Sequence, residues 1–188
     1  MRLKEKYQKE VIPKMKEIFS YSNNLAVPRM LCITVNVGLN RERVEKDPQY
    51  IEKVEKSLMS LTGRKPKKSL ARKSIAGFKI RRGIPVGLYT TLRGDYMYDF
   101  LEKLIIAALP RTKDFRGIPR GSVDERGNLT IGFKEQISFP EVNPEKVEVS
   151  HGLGITITTT AKTKEEGLKL LELLGVPFKK NEKQKTKD

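Results

Sequence analysis

Between Lys56 and Gly94 lie 39 consecutive residues with no Asp or Glu and with 11 Lys or Arg. Ordinary protein surfaces intersperse both signs of charge. Here the cations sit among Pro66, Gly77, Gly83, Pro85 and Gly87, the composition of loops and short strands presented outward. The chain carries a formal net charge of +15, and this fifth of it supplies +11; residues 1–55 contribute +3, residues 95–175 −2 and residues 176–188 +3. So concentrated a field recruits a polyanion, because each neutralised phosphate releases condensed counterions. An acidic membrane surface would also attract it, but the window has no long apolar helical face to insert. Nucleic acid is therefore the first expectation, with no membrane partner.

A chain of 188 residues suits one domain, or a domain with appendages, and is long enough for a real core. Cys32 is the only cysteine and His151 the only histidine, which rules out an internal disulfide and a clustered Cys/His zinc site. No metal or cofactor is expected. No apolar run approaches the roughly 20 residues that span a bilayer. Met1-Arg2-Leu3-Lys4-Glu5 has no apolar signal core. The expectation is a soluble protein made in its final compartment.

Periodicity predicts a helix over residues 2–19, with Leu3, Tyr7, Val11, Met15 and Ile18 in register and Pro13 kinking or splitting it. Between Pro28 and Gly38 the period drops to two: Leu31, Ile33, Val35 and Val37 alternate with Cys32, Thr34 and Asn36, which makes a strand with one polar face. A helix from about Pro48 to Thr62 follows, with Asp47 as its N-cap and Gly63 as its stop. The basic window should hold a strand near 67–73, an exposed loop near 74–84 that is poorly ordered in the free protein, and a strand from Leu88 to Arg93. A helix over Tyr96–Ala108 should end before Pro110. Residues 110–127 read as a long excursion, followed by strands at 128–134, 136–139 and 153–160. Thr163 with Glu166 makes a capping box for a last helix ending at Gly175. Without regular βαβ alternation, the fold class is α+β: a largely antiparallel sheet packed against helices, with an extended basic loop. Residues 1–178 form the single domain and 179–188 a mobile lysine-rich tail.

Catalytic readings fare badly. Gly152-Leu153-Gly154 lacks the third glycine or the lysine of a phosphate loop. A lone His beside a strand is more often structural than catalytic, and Cys32 in mid-strand reads as a small packed residue. No nucleophile, base and oxyanion donor assemble, so no catalytic residue is assigned. A nucleic-acid-modifying enzyme with a basic RNA groove is the alternative, and the acid-free window offers it no carboxylate. Phe78, between Gly77 and Lys79, either stacks on a base or anchors its loop to the core.

Several segments then become specific in order: Gly63-Arg64-Lys65-Pro66, Lys73-Ser74-Ile75-Ala76-Gly77-Phe78, Thr91-Leu92-Arg93-Gly94, Leu109-Pro110-Arg111 through Asp114-Phe115-Arg116-Gly117, Gly127-Asn128, Lys134-Glu135-Gln136 with Phe139-Pro140-Glu141, and Thr159-Thr160-Ala161-Lys162. Over about residues 3–178 the chain resembles the family of large-subunit ribosomal protein number five, the 5S-rRNA-binding family, in its bacterial or organellar form. The resemblance implies a structural constituent of the large ribosomal subunit that binds 5S rRNA and seats it in the central protuberance. Its implied further partners are 23S rRNA, P-site tRNA, neighbouring large-subunit proteins and the small-subunit head protein number thirteen. The implied location is the ribosome, cytoplasmic or organelle-encoded. Asn36, Lys65 and Thr91 match the 5S contact, and Arg64 stands where the family commonly has Gln. Lys67, Lys68 and Arg93 complete the expected 5S set. Lys73, Ser74, Phe78, Lys79, Arg81 and Arg82 match the segment near tRNA. By analogy the 110–145 excursion faces the small-subunit protein, with Arg111, Asp114, Phe115 and Arg116 as contacts.

Overall fold

The alternation in the first strand organises the whole molecule. The computed structural model describes residues 2–78, 80–142 and 149–179. Lys79 and the expected tail from residue 180 onward lie outside them. Strand β1 (Met30–Gly38) pairs with β3 (Pro85–Leu92) on one side and β5 (Leu153–Thr159) on the other. Strand β2 (Lys67–Leu70) extends the β3 side and β4 (Leu129–Phe133) the β5 side, giving the order β2-β3-β1-β5-β4. Every pairing is antiparallel. Because successive side chains point to opposite faces, Ile33, Val35 and Val37 face inward with Leu88, Leu92, Leu129, Ile155 and Ile157, all buried. They share one core with helical residues such as Met15, Val54, Leu58, Leu101, Leu104 and Leu170. The other sheet face carries Thr34, Asn36, Tyr89, Thr91 and Thr130, which are exposed or half-buried.

The expected strand over 28–38 holds except at its start. The register shifts between Met30 and Cys32, a bulge that leaves Leu31 46% exposed and puts Met30 into the core. Two residues of β1 oppose one of β5 there, which turns the chain over and moves Leu31 off the apolar face assigned to it.

The prolines do not break their helices. Leu3–Lys6, Tyr7–Val11 and Ile12–Phe19 run on as one helix, α1. Asp95–Lys103, Leu104–Ala108 and Leu109–Arg111 likewise make one helix, α4, which continues through Pro110. In each, a π-helical turn ends two residues before the proline, with i→i−5 bonds from Ile12 N–H to the Tyr7 carbonyl and from Leu109 N–H to the Leu104 carbonyl. A helical proline has no N–H and crowds the carbonyl four residues back. The widened turn carries that carbonyl aside, so the apolar stripe continues unbroken.

Two short elements escape the periodicity. Helix α2 (Arg41–Lys46) is capped by Asn40, whose side chain accepts from Glu42 and Arg43 N–H. Asp47 then accepts from Gln49 N–H at 2.9 Å and braces the entry to α3 (Tyr50–Thr62) rather than capping its first turn. Gly63 ends α3 in the left-handed region, φ 67°. The stretch 136–139 is a 3-10 turn (Gln136–Ser138), not a strand. Its buried Gln136 donates to the Val149 carbonyl (2.6 Å) and accepts from His151 N–H (2.7 Å), so the side-chain amide makes the bonds a strand partner would make. Helix α5 (Lys164–Leu174) carries the expected capping box and ends at Gly175.

The 110–127 excursion is pinned near its middle and at its end. Ile118 exchanges backbone bonds with Pro177 and Lys179. At its end, Gly127 lies against Gly167 of α5 so closely that a Cβ on Gly167 would fall 2.2 Å from Gly127 Cα. Replacing Gly167 by Ala should therefore cost about 1–3 kcal/mol by overpacking backbone against backbone. A urea titration would register this as a lower midpoint with an unchanged slope.

His151 is buried, with Nε2 3.1 Å from Ser57 Oγ beneath α3. Burial holds its imidazole below the ordinary value, only partly offset by a backbone hydrogen bond at Gly152. The native state therefore keeps His151 neutral where the unfolded chain, titrating near 6.5, already binds a proton. Its contribution is complete above pH of about 6.5 and is lost as the pH falls toward the depressed native value. Urea midpoints measured from pH 8 to 5 should fall for the native sequence, and the gap to H151Q should narrow over the acid half of that range.

Candidate nucleic-acid interface

Cross-strand register builds the open face from rows one residue deep. One row runs Lys67–Tyr89–Asn36–Gly154–Gly132 across all five strands. The next is Thr91–Thr34–Thr156–Thr130, a threonine on each of four neighbouring strands. Strands lie about 4.8 Å apart, so these hydroxyls form a ladder; Thr130 and Thr156 are 3.3 Å apart, oxygen to oxygen. Each hydroxyl both donates and accepts, which suits ribose 2′-hydroxyls and base edges.

Gly154 and Gly132 leave one end of the first row without side chains. Gly154 has a specific reason: a Cβ there would lie 2.5 Å from Asn36 Oδ1. The Asn36 carboxamide therefore lies across β5, and the absence of a side chain at Gly154 sets its direction.

At the β2–β3 end of this face an open groove of about 380 Å³ is lined by Arg64, Lys65, Lys67, Tyr89, Thr90, Thr91 and Arg93. The structure thus gathers six of the seven residues of the expected 5S set. Arg64, Lys65, Lys67, Thr91 and Arg93 line the groove, and Asn36 adjoins it opposite Tyr89. Lys68 is separated from them: it pairs with the inward-pointing Leu88 and so leaves the edge strand on the helix side. The sole carboxylate paired with a groove cation among the described residues is Glu55, 4.0 Å from Lys65 Nζ. At that distance, with the lysine side chain exposed to solvent, the pair neutralises little.

Beyond β2 and β3 the chain projects as a braced finger. Ala71 bonds Gly83 and Ile84, Ile75 and Ile80 exchange both backbone bonds, and Ser74 Oγ accepts from Arg82 N–H at 3.0 Å. Lys73, Arg81 and Arg82 are exposed along it. Phe78 at its tip is 72% exposed, so it does not anchor the loop to the core. Arg111, Asp114, Phe115 and Arg116 gather at the far end of α4. Asp114 adopts φ 55°, and Phe115 lines a shallow groove with Leu109, Ile118 and Phe133 beside the edge strand β4.

Sequence reasoning missed Thr34, Thr156, Thr130 and Tyr89. The alternation of Ile155-Thr156-Ile157-Thr158 was visible, but which threonines become neighbours depends on register. The described residues contain no group of three or more His, Cys, Asp or Glu able to hold a metal. Nor does any described helix have the length and apolarity to cross a membrane. Replacing Gly154 by Ala should displace the Asn36 carboxamide while changing stability by less than about 1.5 kcal/mol, since the clashing atom ends a flexible side chain. The side-chain NH2 resonances of Asn36 would report it; unmoved resonances would mean that Gly154 does not set the amide's direction.

Two family models cover most of the chain: "Ribosomal protein L5" matches residues 23–81, and the model of the same family's C-terminus matches residues 85–178. Among curated relatives, the large ribosomal subunit protein uL5 of Dictyoglomus turgidum is 52% identical over 95% of this chain and 98% of its own length. Its counterpart in Halothermothrix orenii is 48% identical over 94% and 97%, and that of Kosmotoga olearia 49% over 95% and 96%. Two models that match residues 23–81 and 85–178, together with relatives near half identity over about 95% of the chain, show that the chain belongs to the ribosomal protein L5 family.

Proposed function

We propose that this chain is a structural, non-catalytic constituent of the large ribosomal subunit that binds 5S rRNA on its open sheet face and helps seat it in the central protuberance. The observation that carries this reading is the meeting of the hydroxyl ladder and Asn36 with a cation-lined groove on a sheet face that no described helix covers. Lys65, Lys67 and Arg93 supply phosphate contacts and hence affinity. Asn36, Thr91 and the neighbouring threonines supply register, and their reach to 2′-hydroxyls distinguishes RNA from DNA.

The finger, through Lys73, Ser74, Phe78, Arg81 and Arg82, reaches toward P-site tRNA; Lys79 of the same set lies outside the described residues. Arg111, Asp114, Phe115 and Arg116 meet the small-subunit head protein across the inter-subunit bridge. Contacts to 23S rRNA and to neighbouring large-subunit proteins complete the set. What supports these assignments is family membership together with the exposure of the finger and of Arg111, Asp114 and Arg116. The enzyme alternative finds no support in the groove, where neither a carboxylate nor an imidazole is among the lining residues.

Filter binding of a 5S rRNA transcript should show affinity falling steeply with salt. Asn36→Ala and Thr91→Ala should each weaken binding by about 1–3 kcal/mol, the cost of losing a buried polar contact. Unchanged affinity in both variants would remove the sheet face from the site.

A further inference from the structure

We propose that Arg64, resting on Tyr96, stacks an unpaired RNA base at the mouth of the groove instead of acting as one more phosphate contact. This rests on the reading of the open face as the 5S interface and names a recognition element within it. The Arg64 guanidinium carbon lies over the Tyr96 ring, 4.4 Å from its centroid. Tyr96 is 54% exposed, so the pair stands in solvent at the rim rather than in the core.

The surrounding backbone is built to hold it there. Arg64 follows Gly63, whose left-handed turn ends α3. The buried Thr62 hydroxyl lies 2.7 Å from the Leu58 carbonyl and 3.1 Å from the Arg64 carbonyl, and Arg64 N–H donates to it at 3.4 Å. Tyr96 comes from the first turn of α4, entered through Gly94 at φ 62°. Two helix ends thus present one side chain each to the same point.

The local charges leave the guanidinium available. Among the described residues no carboxylate lies within ion-pair distance of Arg64, and Asp95 beside Tyr96 is held by Lys4 at 2.5 Å. Among the groove cations Arg64 alone rests on an aromatic ring within the described residues. Lys65 and Lys67 are mobile point charges suited to phosphate, whereas a planar guanidinium with one face on a ring offers its other face to a base.

The test is binding of a 5S rRNA transcript by the full chain across a potassium chloride series, with base reactivity probed by dimethyl sulfate. Arg64→Lys keeps the charge and loses the plane; Tyr96→Leu keeps the charge and loses the ring. Each should weaken binding roughly tenfold, the scale of one lost base stack. The salt slope should not change, and one unpaired base should become reactive. Tyr96→Phe should restore both affinity and protection. If Arg64→Lys binds like the native chain while Arg64→Ala weakens binding and lowers the salt slope by about one phosphate, Arg64 is a phosphate contact and the inference is wrong. If the native chain fails to bind 5S rRNA at all, the interface reading falls and takes this inference with it.

Discussion

The period-two alternation of a single central strand is the constraint on which the rest of the structure depends. β1 is paired on both edges, so a slip of one residue would turn Ile33, Val35 and Val37 out of the core and Asn36 into it. Fully burying each of those side chains is worth about 1.5–3 kcal/mol, and that energy holds the register. The register in turn places Thr34 against Thr91 and Thr156, and Asn36 against Tyr89 and Gly154. The apolar face has no RNA function of its own, yet it decides which polar groups stand together on the opposite face.

The helices complete that arrangement by staying long. Had Pro13 ended its helix, Met15 beyond it would have lost its place in the core. The π-helical turns at Tyr7–Val11 and Leu104–Ala108 let both helices pass through a proline, and in the first of them the buried stripe runs on to Met15. α4 gains a second property from its length. Its first turn delivers Tyr96 to Arg64 beside the groove and its last turn delivers Arg111 to the opposite end, so one rigid rod sets the spacing between two surfaces of different character.

Charge follows the same division. The acid-free window becomes the end of α3, β2, the finger and β3, and these line one end of the sheet. The acids lie elsewhere, some of them in ion pairs, such as Glu141 with Lys103 and Glu172 with Arg120. The result is a surface able to lie against a polyanion at one end, while the remainder carries mixed charge suited to protein neighbours.

Much of this was legible in the residues. The α+β class, the polar face of the first strand, the stops at Gly63 and Gly175, the Thr163–Glu166 capping box and the outward basic window all rest on local rules. Dihedral preference, period and charge act within a few residues of their source, and the sequence displays them directly. What tertiary structure alone decided is adjacency. The bulge that expels Leu31, the turning of Lys68 away from Lys67, the threonine ladder and the meeting of Arg64 with Tyr96 each join or divide residues by pairing across strands or helix ends. Arg64 and Tyr96 stand 32 positions apart in the sequence, and nothing in the local pattern of either announces the other. Their contact exists because core packing brings the end of one helix to the start of another.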